Sequence, residues 1–230
     1  MATPLPAIEQ KAALRRSLRV ERRRQYRENP AAVERRGRES QALLHHLDWL
    51  RSALESARAA RSDTGDAAPL IAAFHPTADE PDLLPLVRAL IEDGARAVFP
   101  VAAGRELEWG TWDGDATFVR STGRGFGLEP PGRRLGTDAL ASAALVLAPA
   151  AAVDRSGTRL GHGGGYYDRA LGYRMPSTPV IAVVHPSEVL PAGMIPRLDH
   201  DVPVDAALTA EGPVVLRPES AGGGMLCRGT

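Results

Sequence analysis

The chain has a single cysteine, Cys227, among its 230 residues, which excludes an intrachain disulfide framework and any zinc site built on several thiolates. It has no excess of charge: 28 Lys and Arg are matched by 28 Asp and Glu. Neither a nucleic-acid coat nor a polybasic membrane binder is expected, although a local patch is compatible with a neutral sum. No apolar run approaches the ~20 residues needed to cross a bilayer. The N-terminal stretch lacks the apolar centre of a signal peptide, because Lys11 and Arg15 interrupt it. These absences lead to the expectation of a cytoplasmic, soluble monomer with no membrane or nucleic-acid partner. What is present is ordinary for a globular chain, with 43% hydrophobic and 24% charged residues, and a chain of this length buries roughly 70–75% of its unfolded surface without staples.

The first segment is basic and helical. Between Lys11 and Glu28 stand Lys11, Arg15, Arg16, Arg19, Arg22, Arg23, Arg24 and Arg27, opposed only by Glu21 and Glu28. Leu14, Leu18 and Tyr26 give a thin apolar stripe, and a solvated face is the ordinary role for most of these arginines. Asn29-Pro30 ends the helix. Leu43, Leu47, Leu50 and Leu54, with Leu44, predict a second helix. The small, polar stretch 56–69 reads as a surface loop or insertion. Apolar runs at Leu70–Phe74, Ala97–Val101, Leu145–Pro149 and Val180–Val184 read as strands covered on both faces, with Leu107–Trp112 nearer an edge. Trp109 and Trp112 are expected to pack rather than bind. The pattern predicts an α/β fold: three layers, α/β/α, with a mostly parallel sheet and two N-terminal helices, forming one domain over residues 1–212 with a disordered tail at 213–230.

One stretch stands apart. Arg159-Leu160-Gly161-His162-Gly163-Gly164-Gly165-Tyr166-Tyr167-Asp168-Arg169 follows a strand and runs into a helix start. Glycines let the backbone approach an anion and turn its N–H groups toward it. Arg159 and Arg169 offer planar forks for phosphate, and Asp168 is a carboxylate of the kind that shares Mg²⁺ with phosphate oxygens. A glycine-rich turn that merely permits tight packing is the alternative. No Gly-Lys-Ser/Thr follows, and Tyr166 occupies the place of the third glycine of a dinucleotide fingerprint.

The same stretch, extended back through Asp154 and Gly157, resembles the D-x-x-G-x-R-[LIM]-G-x-G-x-G-[YF]-Y-D-R signature of the 5-formyltetrahydrofolate cyclo-ligases. Lys11 with Arg15, Glu80 after the first strand, Pro100, Glu129-Pro130, and His200-Asp201 with Asp205 and Thr209 agree in order. Departures are Gly164 where some members have Lys, Val153 where Phe is frequent, and the run Glu80-Pro81-Asp82-Leu83. The resemblance implies ATP as co-substrate with Mg²⁺, and a reduced folate as substrate. It implies Lys11, Arg15, Arg159, Leu160, Gly161, His162, Gly163, Gly164, Gly165, Tyr166 and Tyr167 around ATP. It further implies His75, Glu80, His162, Gly163, Gly164, Gly165 and Tyr166 around the folate, Asp168 and Asp201 as metal ligands, and Arg159, Tyr167 and Asp168 in catalysis. The reaction implied is cyclisation of 5-formyltetrahydrofolate to 5,10-methenyltetrahydrofolate through phosphorylation of the formyl oxygen. Two other readings stay open: a non-catalytic nucleotide- or RNA-binding relative, favoured by the arginine-rich helix, and an ATP-dependent enzyme acting on another pterin-like substrate.

Overall fold

A computed structural model of the chain describes residues 6–61, 67–121 and 127–216. The part of the expected tail from 217 onward, with Cys227, and the centre of the expected 56–69 loop lie outside the described residues.

The first helix, α1 (Ala7–Arg23), passes into one π-helical turn, Arg24–Glu28, and stops at Asn29. Asn29 has the extended backbone (φ −71°, ψ 127°) that a residue before proline adopts. Its Oδ1 then accepts the Ala31 N–H at 2.9 Å and so opens the next helix. The sequence predicts two helices before the sheet, and the structure has three. A turn at His45 and His46 divides the leucine stripe into α2 (Ala32–Leu44) and α3 (Leu47–Ala59). Leu43 on one side of the turn and Leu50 on the other are fully buried in the same core. Because the stripe stays apolar across the break, periodicity does not reveal it. The helix also runs further than expected: Ser56–Ala59, assigned above to a loop, form the last turn of α3, and Ala57 is buried.

The chain continues through β1 (Leu70–Ala72), α4 (Leu84–Glu92), β2 (Arg96–Ala103), β3 (Glu106–Trp112), β4 (Val119–Arg120), β5 (Leu128–Glu129), β6 (Arg134–Leu135) and β7 (Ala143–Pro149). It ends with β8 (Ala152–Asp154), β9 (Arg159–Leu160), α5 (Tyr166–Leu171), β10 (Val180–Val183), β11 (Val189–Leu190), β12 (Ala206–Thr209) and β13 (Gly212–Val215). The main sheet has the order β13-β12-β10-β7-β1-β2-β3-β6. Its centre, from β12 to β2, is parallel, and its two flanks are antiparallel. Every residue of β1, β7, β10 and β12 is buried, as befits parallel strands covered on both faces. Gly212–Val215, where the tail was expected to begin, is instead the edge strand β13, paired with β12 from Ala206↔Val215 to Thr209↔Gly212.

The layering follows from β3. Trp109 and Trp112 are three positions apart on one strand and so point to opposite faces. Arg88 of α4 lies 5.8 Å from the Trp112 ring, whereas Tyr167 of α5 meets Trp109 edge-on at 6.3 Å. The two helices therefore cover opposite faces, and both tryptophans pack, as the sequence predicts. From β1 the chain moves through α4 to β2 on one side and later returns to place β7 on the other. The order reverses between β1 and β7, and the crevice beyond their carboxyl ends is where doubly wound sheets bind ligands.

A small second sheet, β11-β8-β9, delivers the glycine motif. Asp154 is fully buried at the hairpin between β8 and β9. Its Oδ1 accepts N–H groups from Ser156 (3.0 Å) and Thr158 (3.2 Å), and its Oδ2 accepts that of Ile195 (3.0 Å). Gly157 turns the hairpin at φ +82°, a conformation that costs other residues energy. The first half of the motif is thus a device for holding Arg159 on β9. Asp154→Ala leaves three backbone donors without their acceptor, at about 1–3 kcal/mol for each buried one. The expected outcome is a loss of about 3 kcal/mol or more in urea unfolding.

Candidate active site

The crevice at the β1–β7 reversal opens into a cavity of about 1220 Å³. Its walls come from the loop after β1 (Phe74–Glu80), the end of β7 (Pro149), the glycine segment and the start of α5, and from the inward arginines of α1.

The glycine segment sits between α1 and this cavity. Arg15 Nε donates to the Gly161 carbonyl at 2.7 Å, and Arg19 Nη2 to the His162 carbonyl at 2.8 Å. In a trans peptide the following N–H points opposite to the carbonyl, so the amides of His162 and Gly163 face away from α1. Gly163 (φ +106°) and Gly165 (φ +66°) have backbones that a side chain would strain. Burial and the neighbouring Arg19 outweigh the nearby Asp201 and Asp168 and hold the Arg15 guanidinium below its usual value. The locality carries an excess of positive charge, which an anion would relieve.

Arg159 is buried, 3% exposed, and touches two elements. Nη1 donates to the Pro149 carbonyl at 3.1 Å and Nη2 to Asp168 Oδ1 at 2.6 Å. Its Nε has no hydrogen-bond partner among the described residues. The Tyr167 hydroxyl is in the same condition, and burial raises its pKa, so it stays protonated. Both residues line the cavity. A pair of buried donors left without acceptors beside one cavity is unusual in a native fold. Tyr166 also lines the cavity, but its hydroxyl is used on the Gly104 carbonyl at 3.2 Å and Arg169 lies 5.1 Å from its ring centre.

Glu80, 5% exposed, lines the same cavity. Its Oε2 accepts the Thr77 N–H (2.8 Å) and hydroxyl (2.9 Å), and its Oε1 lies 3.0 Å from His162 Nε2. Burial alone would raise its pKa, but the His162 and Thr77 bonds outweigh that and keep the carboxylate ionised. Glu80 closes a turn on Thr77, four residues ahead of α4, so it is not a helix-terminal carboxylate. His75 packs edge-on against Phe118 at 4.5 Å, and burial lowers its pKa, so it is neutral. From α2, Arg36 and Ser40 bond the carbonyls of Glu80 (3.3 Å) and Asp82 (2.8 Å) and fix this loop.

Of the residues singled out in the sequence, Arg159, Gly161, His162, Gly164, Gly165, Tyr166, Tyr167, Asp168, His75 and Glu80 line one cavity. Lys11, Arg15, Leu160, Gly163 and Asp201 stand outside its wall. Leu160 is fully buried in a small apolar cluster with Ala151, Ala152 and Ile195. Lys11 and Asp201 form a buried ion pair with each other. Among the described residues no cluster of three or more His, Cys, Asp or Glu could hold a metal by itself. That is compatible with a magnesium ion completed by phosphate oxygens, which needs only one or two carboxylates.

Two residues that bear on the site were missed. Arg22 was assigned to a solvated face, yet it is buried and bonds Glu188 through Nε and through Nη2 (2.8 Å), with Nη2 also on the Ala150 carbonyl (2.7 Å). Its position, eleven residues after Lys11 and seven after Arg15, places all three on one helical stripe, and that spacing was the available signal. Glu188 lies in a short 3-10 turn with no pattern around it.

Burial works to raise the Asp201 carboxyl, but the Lys11 ammonium, the Leu198 N–H (2.7 Å) and His200 hold it below the usual carboxylate range. A carboxylate with a lowered pKa stabilises the fold at pH above its unfolded value, and that stability is lost as pH falls through the folded value. Asp201→Asn is therefore expected to be less stable than the parent at neutral pH and to converge with it below about pH 3–4 in acid unfolding.

Residues 7–210 match the 5-formyltetrahydrofolate cyclo-ligase family. The chain is 40% identical over 155 residues to a 5-formyltetrahydrofolate cyclo-ligase of Mycolicibacterium smegmatis, covering 64% of this chain and 77% of that one. It is 37% identical over 86 residues to a mitochondrial 5-formyltetrahydrofolate cyclo-ligase of Arabidopsis thaliana, covering 33% and 30%. The fold is similar to that of Aquifex aeolicus 5,10-methenyltetrahydrofolate synthetase (TM-score 0.67, 24% identity, 93% and 96% covered). It is also similar to that of a 5,10-methenyltetrahydrofolate synthetase from Mycoplasma pneumoniae (TM-score 0.58, 18% identity, 87% and 98% covered). With nearly its whole described length matched and the motif folded around one cavity, the chain belongs to the 5-formyltetrahydrofolate cyclo-ligase family.

Proposed function

We propose that this chain converts 5-formyltetrahydrofolate and ATP to 5,10-methenyltetrahydrofolate, ADP and phosphate. The observation that carries the reading is one large cavity lined both by the glycine segment with Arg159 and by an ionised carboxylate, Glu80. Its volume of about 1220 Å³ exceeds the roughly 300–1,000 Å³ of a pocket for one ligand and leaves room for two.

In this reading the glycine-segment amides and Arg159 bind the triphosphate, with Arg15 and Arg19 fixing that backbone from behind. Glu80 accepts N–H donors of the pterin ring. The formyl oxygen attacks the γ-phosphorus, the bond to ADP breaks, and the formyl carbon now carries a phosphate leaving group. The folate N10 attacks that carbon, phosphate departs, and N10 loses its proton. The protein's contribution is positioning and charge stabilisation. The Tyr167 hydroxyl, held neutral, donates to an oxygen of the reacting group, and its unpartnered state means that this bond costs no other. Asp168, on the cavity wall, is the residue to hold Mg²⁺, and Asp201 joins it only if Lys11 exchanges its partner for phosphate. Magnesium there would neutralise phosphate charge.

The test is the cyclisation assay, following the absorbance of the methenyl product from 5-formyltetrahydrofolate with and without ATP and with and without a chelator. Turnover is expected only with ATP and a divalent cation. Salt-sensitive RNA binding without turnover would support the non-catalytic reading instead. Tyr167→Phe discriminates further. It removes a hydroxyl that has no hydrogen-bond partner among the described residues, so thermal stability is expected to be unchanged or higher. Turnover is expected to fall on the order of 10- to 100-fold, the effect of losing one donor to a reacting group. Asp168→Asn is expected to cut turnover by at least as much while the far-ultraviolet circular dichroism stays that of the parent.

A further inference from the structure

The buried charges behind Glu80 form a chain that the reaction as described above does not use. Arg22 of α1 is 5% exposed and lines the cavity. Two of its three nitrogens are committed, Nε and Nη2 to the carboxylate of Glu188, with Nη2 also on the Ala150 carbonyl. The third, Nη1, lies 3.9 Å from Glu80 Oε1. That separation is an ionic contact and is too long for a hydrogen bond. Glu188 is engaged at both oxygens: Oε1 by Arg22 Nε, and Oε2 by Arg22 Nη2 and by the His185 N–H at 2.9 Å. Glu80 is held through Oε2 by Thr77, while among the described residues the hydrogen-bond contact to its Oε1 comes from His162, whose side chain is 45% exposed.

We propose that Glu188 is a positioning residue for folate recognition: by holding the fork of Arg22 it keeps that cation close enough to steady Glu80 but too far to bond it, so Oε1 stays available to a ligand's N–H donors. This rests on the reading of Glu80 as the folate acceptor. Without the Glu188 carboxylate, the nearest anion to the freed fork is Glu80. Arg22 would close the 3.9 Å gap, bond Oε1, and occupy the atom the substrate needs.

The experiment measures dissociation constants by calorimetry, for 5-formyltetrahydrofolate alone and for MgATP alone, on the whole chain. Glu188→Gln is expected to weaken folate binding roughly 10- to 100-fold, the range for a bond to a charged group. MgATP binding is expected to stay within about twofold. In a Glu80→Gln background the same change is expected to have no further effect, because coupled residues fail to add. Breaking one side of a buried pair can unfold a protein, so Arg22→Gln/Glu188→Gln, which removes both charges together, is measured as well. It is expected to fold and, with no fork left to bond Oε1, to bind folate nearly as tightly as the parent. Wild-type folate affinity in folded Glu188→Gln, a double variant as weakened for folate as Glu188→Gln is expected to be, or equal losses for folate and MgATP would overturn the role given to Glu188. If Glu80→Gln itself binds folate normally, the reading of Glu80 fails and this inference falls with it, whereas a weakened Glu80→Gln beside a normal Glu188→Gln leaves that reading intact and removes only the inference.

Discussion

The site depends on where the first helix puts its positive charge. Most helices that dock on a domain present hydrocarbon; α1 presents Lys11, Arg15 and Arg22 with only Leu14 and Leu18 between them. A guanidinium taken out of water must find an acceptor for each edge. Here the acceptors are main-chain carbonyls of the glycine segment and of Ala150, together with the carboxylate of Glu188. The glycine segment gains its shape from the same contacts: once its carbonyls are bound to α1, its amides have only the other direction in which to point. Loop and helix specify each other, and neither would hold its conformation alone.

The same helix reaches both the glycine segment and Glu80. Arg15 and Arg19 fix the glycine segment, and three to seven residues further on Arg22 faces Glu80. His162 joins the two directly, its carbonyl bound to Arg19 and its imidazole resting on Glu80. A ligand that displaces the imidazole disturbs the loop that carries it. The two halves of the site are therefore mechanically linked through one residue and one helix, while the parallel sheet beneath supplies a stationary floor.

Much of this was legible in the sequence. Parallel strands announce themselves by unbroken apolar runs, and β1, β2, β7 and β10 lie where Leu70–Phe74, Ala97–Val101, Leu145–Pro149 and Val180–Val184 predict them. β12 was not read because Ala206–Thr209 contains two alanines and a threonine around one leucine, too little apolar surface to register. The break at His45 was hidden because the stripe stays apolar through it. In the site, residues in a dense motif were legible and residues acting at a distance were not. Arg22 stands in an arginine-rich face where only its spacing from Lys11 and Arg15 hints at burial, and its partner Glu188, 166 positions away, carries no sequence signal. The motif also mixes two jobs that sequence alone does not separate: Asp154 and Gly157 shape a hairpin, and Arg159, Tyr167 and Asp168 face the cavity.

The bonds of α1 also span nearly the length of the chain: Ala150 is 128 positions from Arg22, Gly161 is 146 from Arg15, and Asp201 is 190 from Lys11. During synthesis, then, α1 emerges carrying a row of cations whose partners are made 128 to 190 residues later. It has little hydrocarbon with which to dock in the meantime, and pairings this remote in sequence form slowly. The strands made before these partners can assemble with their covering helices first, and the cavity acquires its charged wall only once Gly161 and Glu188 have joined the nascent chain.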